Sequence, residues 1–221
     1  KIPKTLEGHK WGNIIHDQMV IWLASWKDDI TGKTKYVFPS DSSEYKAKSD
    51  MNKFDLARKL KKKIGDIRKE NSENLNSDNK KIKQLATALY LIDKFALRVG
   101  NEKGDDQADT VGVASLRLEH ITILDESKFR IKLDFLSKDS IRYIKKVELD
   151  SIVFNNIKEF MQNKNNKDDI FDEIKPDDLN RYLQEFMKDL TSKVFRTYNA
   201  SNLFQKELTQ ISKKFDALSS T

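Results

Sequence analysis

The chain has 221 residues, 38% of them hydrophobic and 34% charged, with a formal net charge of +6 and no cysteine. That apolar share can fill the core of one large domain or two small lobes, and the missing thiols exclude disulfides and thiolate zinc sites. The positive balance favours a polyanionic partner such as nucleic acid; the longest apolar run, Met19 to Trp26, falls well short of the roughly 20 residues of a membrane helix.

In chain order, Met19 to Trp26 and Lys33 to Phe38 are rich in β-branched and aromatic residues and flank Asp28 to Gly32, which predicts a hairpin. Ser49 or Asp50 is expected to cap a charged helix running to about Glu70, with Phe54, Leu56, Leu60, Ile64 and Ile67 near one face. Asn71 to Asn79 reads as a loop or helix break. Ile82, Leu85, Leu89, Ile92 and Phe95 recur at three and four, so a helix follows, with Gly100 as its stop. Arg98 would then lie in its last turn, where a cation suits the negative end of the helix. Phe129 to Leu136 and Ile141 to Val147 alternate around Ser137 to Ser140, a second hairpin with Lys138 at its tip. Helices are expected at Ser151 to Gln162, at Pro176 to Leu190 with acidic residues in the first turn, and at Thr191 to about Leu218. The fold class is mainly α with small antiparallel hairpins, α+β. Two parts are expected: a hairpin region over 1–48, and a mostly helical region over 49–221 that carries the hairpin at 129–147.

Several long blocks stand in a fixed order: GHKW (Gly8 to Trp11), ALYLIDKFALRVGNEK (Ala88 to Lys103), ADTVGVASLR (Ala108 to Arg117), LDFLSKDSIRYIKK (Leu133 to Lys146) and TSKVFRTYNAS (Thr191 to Ser201). Together they resemble the catalytic core of the eukaryotic type IB DNA topoisomerases, over nearly the whole chain. The resemblance implies the tyrosine recombinase/type IB topoisomerase fold, double-stranded DNA as partner, a nuclear location and a monomer. It also implies relaxation of supercoiled DNA through a transient 3′-phosphotyrosyl link.

Phosphodiester exchange passes through a pentacoordinate phosphorus whose non-bridging oxygens gain negative charge, and guanidiniums suit it as planar, permanently charged donors. Arg98 and Arg196 match the family's two transition-state arginines. Lys138 matches the lysine that protonates the leaving 5′ oxygen, a step that needs a positioned acid because an alkoxide leaves poorly. By the same resemblance Asn101, Lys103, Thr110 and Lys193 contact DNA phosphates, and Asp139, beside Lys138, orients the tip near where camptothecin-class inhibitors intercalate. Contacts of this kind position a protein without reading sequence. The basic runs Lys59 to Lys63 and Lys80 to Lys83 either extend that surface or form solvated helix faces.

Two of the family's groups have no match. None of Tyr36, Tyr45, Tyr90, Tyr143, Tyr182 and Tyr198 has the context of the nucleophilic tyrosine. Tyr198 is two residues from Arg196, and neighbours at i and i+2 point about 200° apart on a helix, so it is read as structural. His9, His16 and His120 all precede the NAS motif, after which the catalytic histidine should fall. The chain begins at Lys1 and closes on Ser219-Ser220-Thr221 after a helical pattern, so it is read as a piece lacking an N-terminal cap, a linker and a C-terminal tyrosine-bearing domain. Alone it is expected to be inactive, and that C-terminal domain is an expected partner.

Glu102, Asp105, Asp106 and Asp109 could suggest a metal, but their spacing departs from the calcium-loop pattern, and a solvent-exposed loop is the better reading. No cofactor is expected: the cations replace a metal, and a phosphotyrosyl link conserves the bond energy without ATP. Two other readings are weighed. A tyrosine recombinase would usually place His three residues before the second arginine, where this chain has Lys193. A non-catalytic DNA-binding module of the same fold would have little reason to keep Arg98, Lys138 and Arg196.

Overall fold

A computed structural model describes residues 2, 4–5, 7–17, 19–100 and 109–219. The chain divides into two units, 1–51 and 52–221. In the first, β1 (Ala24–Lys27) and β2 (Thr34–Val37) form an antiparallel hairpin with Ala24 opposite Val37 and Lys27 opposite Thr34. The carboxylate of Asp28 accepts from the Thr31 N–H at 3.0 Å, and Gly32 takes the left-handed φ of 67° that closes the turn. The first strand is shorter than its apolar run predicts, starting at Ala24 rather than Met19.

Helix α1 (Glu44–Asn74) begins in the first unit and continues through the second. It starts before the expected Ser49 because Ser43 Oγ accepts from the Lys46 N–H at 3.3 Å and caps it. It also runs past Glu70 into the Asn-rich stretch. Buried Asn71 is satisfied there, donating to the Ala86 carbonyl at 3.0 Å and accepting from the Tyr182 hydroxyl at 3.1 Å. Ala57, Leu60, Ile64, Ile67 and Asn71 make its buried stripe at spacings of three and four. Phe54, expected on that face, is exposed.

Helix α2 (Lys80–Phe95) is the centre of the second unit and packs against α3 (Ser151–Phe160), α4 (Pro176–Phe186) and α5 (Ser192–Ser219). Asn79 caps it, its side chain accepting from the Ile82 N–H at 3.2 Å. Gln84, Leu85, Ala86, Thr87, Ala88, Leu89, Leu91 and Ile92 are all buried; burial of each Leu or Ile contributes about 1.5–3 kcal/mol. The two polar members are bonded: Gln84 donates to Asp172 at 2.7 Å and accepts from the Glu173 N–H at 2.9 Å, while Thr87 donates to the Lys83 carbonyl at 2.8 Å.

Strands β3 (Ile121–Asp125), β4 (Arg130–Leu136) and β5 (Arg142–Glu148) form an antiparallel sheet in that order. Ile131, Leu133 and Phe135 alternate inward from β4. Of the later helices, α3 and α4 stop at Phe160 and Phe186, two and four residues before the expected ends. Mixed helix and small antiparallel sheets make the class α+β. Among the described residues no helix is long and apolar enough to cross a membrane.

Candidate functional site

Helix α2 ends at Phe95, not near Gly100. Ala96 adopts the left-handed conformation at φ 55° and turns the chain out of the helix. Arg98 is therefore not in a helical last turn, as its sequence context predicts, but on the segment that follows. The reason is competing backbone pairing. The Arg98 carbonyl accepts from the Val113 N–H at 2.8 Å and the Val99 carbonyl from Ala114 at 2.7 Å. This pairing brings Gly100 against Gly112 so closely that a Cβ on Gly112 would lie 2.1 Å from the Gly100 nitrogen. Both glycines are thus required by contact, not by chain termination.

The hairpin tip is pinned to the same place. The Val111 N–H donates to the Leu136 carbonyl at 2.6 Å, tying the end of β4 beside the Arg98 segment, and the Ser137 N–H donates to Ile141 at 2.8 Å to close the loop. Lys138 stands exposed in that tip, followed by Asp139 and Ser140 at φ 63° and 57°. Two consecutive non-glycine residues in the left-handed region store backbone strain.

From the third side comes the start of α5. Val194, Phe195 and Tyr198 are buried in the core, which turns Lys193 and Arg196 the other way. Half-buried Arg196 donates its Nε to the Ala96 carbonyl at 2.9 Å. Burial first, and then the neighbouring Arg98 charge, hold its guanidinium below the ordinary arginine value; an arginine so placed stays charged.

These segments enclose a cleft of about 380 Å³ lined by Arg98, Val99, Gly100, Thr110, Val111, Lys138, Ser192, Lys193 and Arg196. Four of its lining residues are cations, and the described lining includes no carboxylate. The N-terminal turn of α5 also opens onto it through Ser192 and Lys193, adding the positive end of a helix. Such a cleft is built for an oxyanion, with forked donors on two sides and an ammonium on a third. Lys193 and Arg196, three apart on α5, reach it together, as does Thr110.

Other predicted positions fall elsewhere. Asp139 is exposed at the tip and is not part of the cleft wall. Asn101 and Lys103 lie outside the described residues, as do Glu102, Asp105 and Asp106. Asp109 pairs with Arg117 at 2.6 Å, and among the described residues no cluster of His, Asp or Glu could hold a metal ion. The run Lys80 to Lys83 is not a bare basic surface: Lys80 pairs with Asp172 at 3.0 Å, Lys81 with Asp178 at 3.0 Å and Lys83 with Glu159 at 3.0 Å. Tyr198 is buried against the core. Sequence reasoning missed the Ala96 carbonyl as the acceptor for Arg196. Nothing but a glycine or asparagine there would have signalled a left-handed turn. Ser192 was also missed, although its place beside Lys193 at a helix start could have suggested it.

Comparison with known proteins gives two family matches. Residues 42–220 match eukaryotic DNA topoisomerase I, catalytic core, and residues 1–39 match eukaryotic DNA topoisomerase I, DNA binding fragment. The chain is 49% identical over 209 residues to DNA topoisomerase 1 of Candida albicans, covering 94% of the chain and 27% of that relative. It is 46% identical over 215 residues to DNA topoisomerase 1 of Homo sapiens, covering 96% and 28%. To that of Caenorhabditis elegans it is 45% identical over 227 residues, covering 98% and 28%. The chain thus spans little more than a quarter of the length of the relatives it matches.

Proposed function

Because the chain belongs to the eukaryotic DNA topoisomerase I family, we propose that it is the core catalytic part of an ATP-independent type IB topoisomerase, a nuclear, monomeric enzyme acting on double-stranded DNA. In this reading the part over 49–221 has the fold shared with tyrosine recombinases, and the part over 1–48 is its hairpin region. The nucleophilic tyrosine and the catalytic histidine come from sequence beyond these 221 residues. The tyrosine attacks a backbone phosphorus, leaving a 3′-phosphotyrosine and a 5′ hydroxyl. The duplex swivels, and the hydroxyl attacks in return to reseal the strand.

The observation that carries this reading is the convergence of Arg98, Lys138, Lys193 and Arg196 on one cleft with no carboxylate in its described lining. As the phosphorane forms, charge builds on its non-bridging oxygens, and two fixed guanidiniums stabilise that charge more than the ground-state phosphate. Lys138, reaching in from the tip, gives its proton to the departing 5′ oxygen. Lys193, with Thr110, Asn101 and Lys103, grips flanking phosphates, and Asp139 orients the tip, where an intercalating camptothecin-class inhibitor would lie. The lysine three residues before Arg196 supports the topoisomerase reading over a recombinase.

Covalent trapping tests it. The full-length protein should relax supercoiled plasmid without ATP and form a DNA adduct whose tyrosine maps outside residues 1–221. The 221-residue chain alone should form none. An adduct on Tyr198, or a full-length protein that never becomes linked to DNA, would overturn the reading.

A further inference from the structure

Behind the cleft, three helices meet at one carboxylate. Asp93, in the last turn of α2, keeps only 15% of its side chain exposed. It accepts two bonds from Arg68 of α1, Nε to Oδ2 at 2.7 Å and Nη2 to Oδ1 at 3.0 Å. From the other side, half-buried Asn199 of α5 donates its Nδ2 to the Asp93 main-chain carbonyl at 2.8 Å and to Oδ1 at 3.2 Å. None of the three lines the cleft.

Their places in the chain matter more than their number. Asn199 lies three residues beyond Arg196, on the same face of α5 about one turn on. Asp93 lies three residues before Ala96, whose carbonyl takes the Arg196 Nε at 2.9 Å. Two bridges therefore run side by side from α5 to the end of α2: Arg196 to Ala96, and Asn199 to Asp93. A helix fastened at one point can still roll about its axis; one fastened at two points a turn apart cannot. The α2 end so fastened leads within two residues to Arg98.

Something must hold Arg98 and Arg196 together, because like charges in one cleft repel and both are short of described carboxylate partners. We propose that the Arg68–Asp93–Asn199 bridge is a positioning element, fixing the roll of α5 against the α2 end so that the two arginines keep the spacing an oxyanion transition state requires. Arg68 is its outer stay: the carboxylate raises its proton affinity, and its forked grip keeps the Asp93 side chain turned so that Oδ1 faces Asn199. The inference rests on the reading above, in which Arg98 and Arg196 stabilise a phosphorane.

The experiment uses full-length protein carrying Asn199→Ala, Asp93→Asn, Asp93→Ala or Arg68→Gln, with Arg98→Ala and Arg196→Ala as controls. Single-turnover cleavage at saturating DNA, DNA affinity and Tm are measured together. Asn199→Ala should slow cleavage about tenfold to a hundredfold, the scale of a small misplacement of reacting groups, with affinity almost unchanged. The loss should be equal on ordinary DNA and on DNA with a bridging 5′ sulfur, since charge stabilisation and not protonation is impaired. Asp93→Asn retains an oxygen acceptor for Asn199 and should keep more activity than Asp93→Ala. Arg68 is half exposed, so Arg68→Gln should fold even where Asn199→Ala melts too low to assay, and should slow cleavage about two- to tenfold. A wild-type rate in Asn199→Ala or, where that cannot be assayed, in Arg68→Gln overturns the inference, and so does a rate loss matched by an equal loss of affinity. If Arg98→Ala and Arg196→Ala themselves cleave normally, it is the underlying reading that fails.

Discussion

The two sides of the cleft are built in opposite ways. Arg196 rises from a helix whose other face carries Val194, Phe195 and Tyr198 into the core, and its Nε is tied to a main-chain carbonyl. Lys138 stands on the exposed tip of a hairpin, next to two residues in the left-handed region. A group that stabilises charge works best when it need not reorganise as the charge appears. A group that delivers a proton must reach its acceptor and then be recharged from solvent, so exposure helps it. The division between an anchored guanidinium and an exposed ammonium fits the proposed division of labour between charge stabilisation and acid catalysis.

The largest effects should come from the anchored side. In full-length protein, Arg196→Ala or Arg98→Ala should slow strand cleavage by about 10³-fold, the upper range for losing one preorganised donor to a developing oxyanion. The loss should be the same on oxygen-bridged and sulfur-bridged DNA in single-turnover assays. Arg196→Lys should recover little, because an ammonium offers neither the fork nor the Nε bond to Ala96. Lys138→Ala should cost about 10²-fold on ordinary DNA and regain most of it on the sulfur substrate, where a thiolate leaves without a proton. Equal losses for Lys138→Ala on both substrates would erase the contrast and leave Lys138 as a DNA contact.

The sequence reveals one side of this arrangement better than the other. Periodicity places α2, whose apolar face is buried, and alternation places β4, with Ile131, Leu133 and Phe135 inward; Lys138 is thereby delivered to a turn, and Arg196 to a helix of which only the first turns, with Val194, Phe195 and Tyr198, are buried. It misplaces Arg98. The local signal there is a glycine as a helix stop, while the stop is Ala96, a left-handed alanine after which Arg98 and Val99 pair with residues 113–114. Those contacts are long in sequence and leave no local trace. The same is true of α1, whose Asn71 looks like a helix breaker until the Ala86 carbonyl and the Tyr182 hydroxyl are brought to it by the fold. That four cations share one cleft follows only from the backbone bonds joining 98–99 to 113–114 and 111 to 136.

The seam under Arg98 offers a sharper cut. Gly112→Ala would place a methyl 2.1 Å from the Gly100 nitrogen and 2.5 Å from the Val99 carbonyl carbon, all main-chain atoms that cannot rotate away. It should destabilise the chain by about 3 kcal/mol in urea unfolding, at the upper end for overpacking. Whatever remains folded should cleave slowly on both substrates, because Arg98 is displaced. Gly65→Ala is the control: its added methyl meets nothing within 4 Å inside α1, and it should stabilise by about 0.5–1 kcal/mol. A tolerated Gly112→Ala would mean that the arginine side is less rigid than its bonds imply.

The smallest effect belongs to the sheet beneath the lysine. His120 is buried at the head of β3, with Nδ1 accepting from the Arg117 N–H at 3.0 Å and its ring edge-on to Phe135 at 6.0 Å. Phe135, two residues before Ser137 at the tip, in turn stacks on Tyr143 at 5.1 Å. Burial, and then the Arg117 charge, push the imidazole below its usual 6.5, against weaker pulls the other way from Glu119, Asp109 and Asp134. The folded protein thus prefers neutral His120, while the unfolded chain takes up a proton as pH falls through about 6.5. The unfolded state then binds more protons, so stability is fully present above that pH and declines below it. Thermal melts between pH 7.5 and 5.5 should fall slightly, and His120→Gln should flatten the trend. A melting temperature that does not move with pH over that range would mean that His120 carries no such bias.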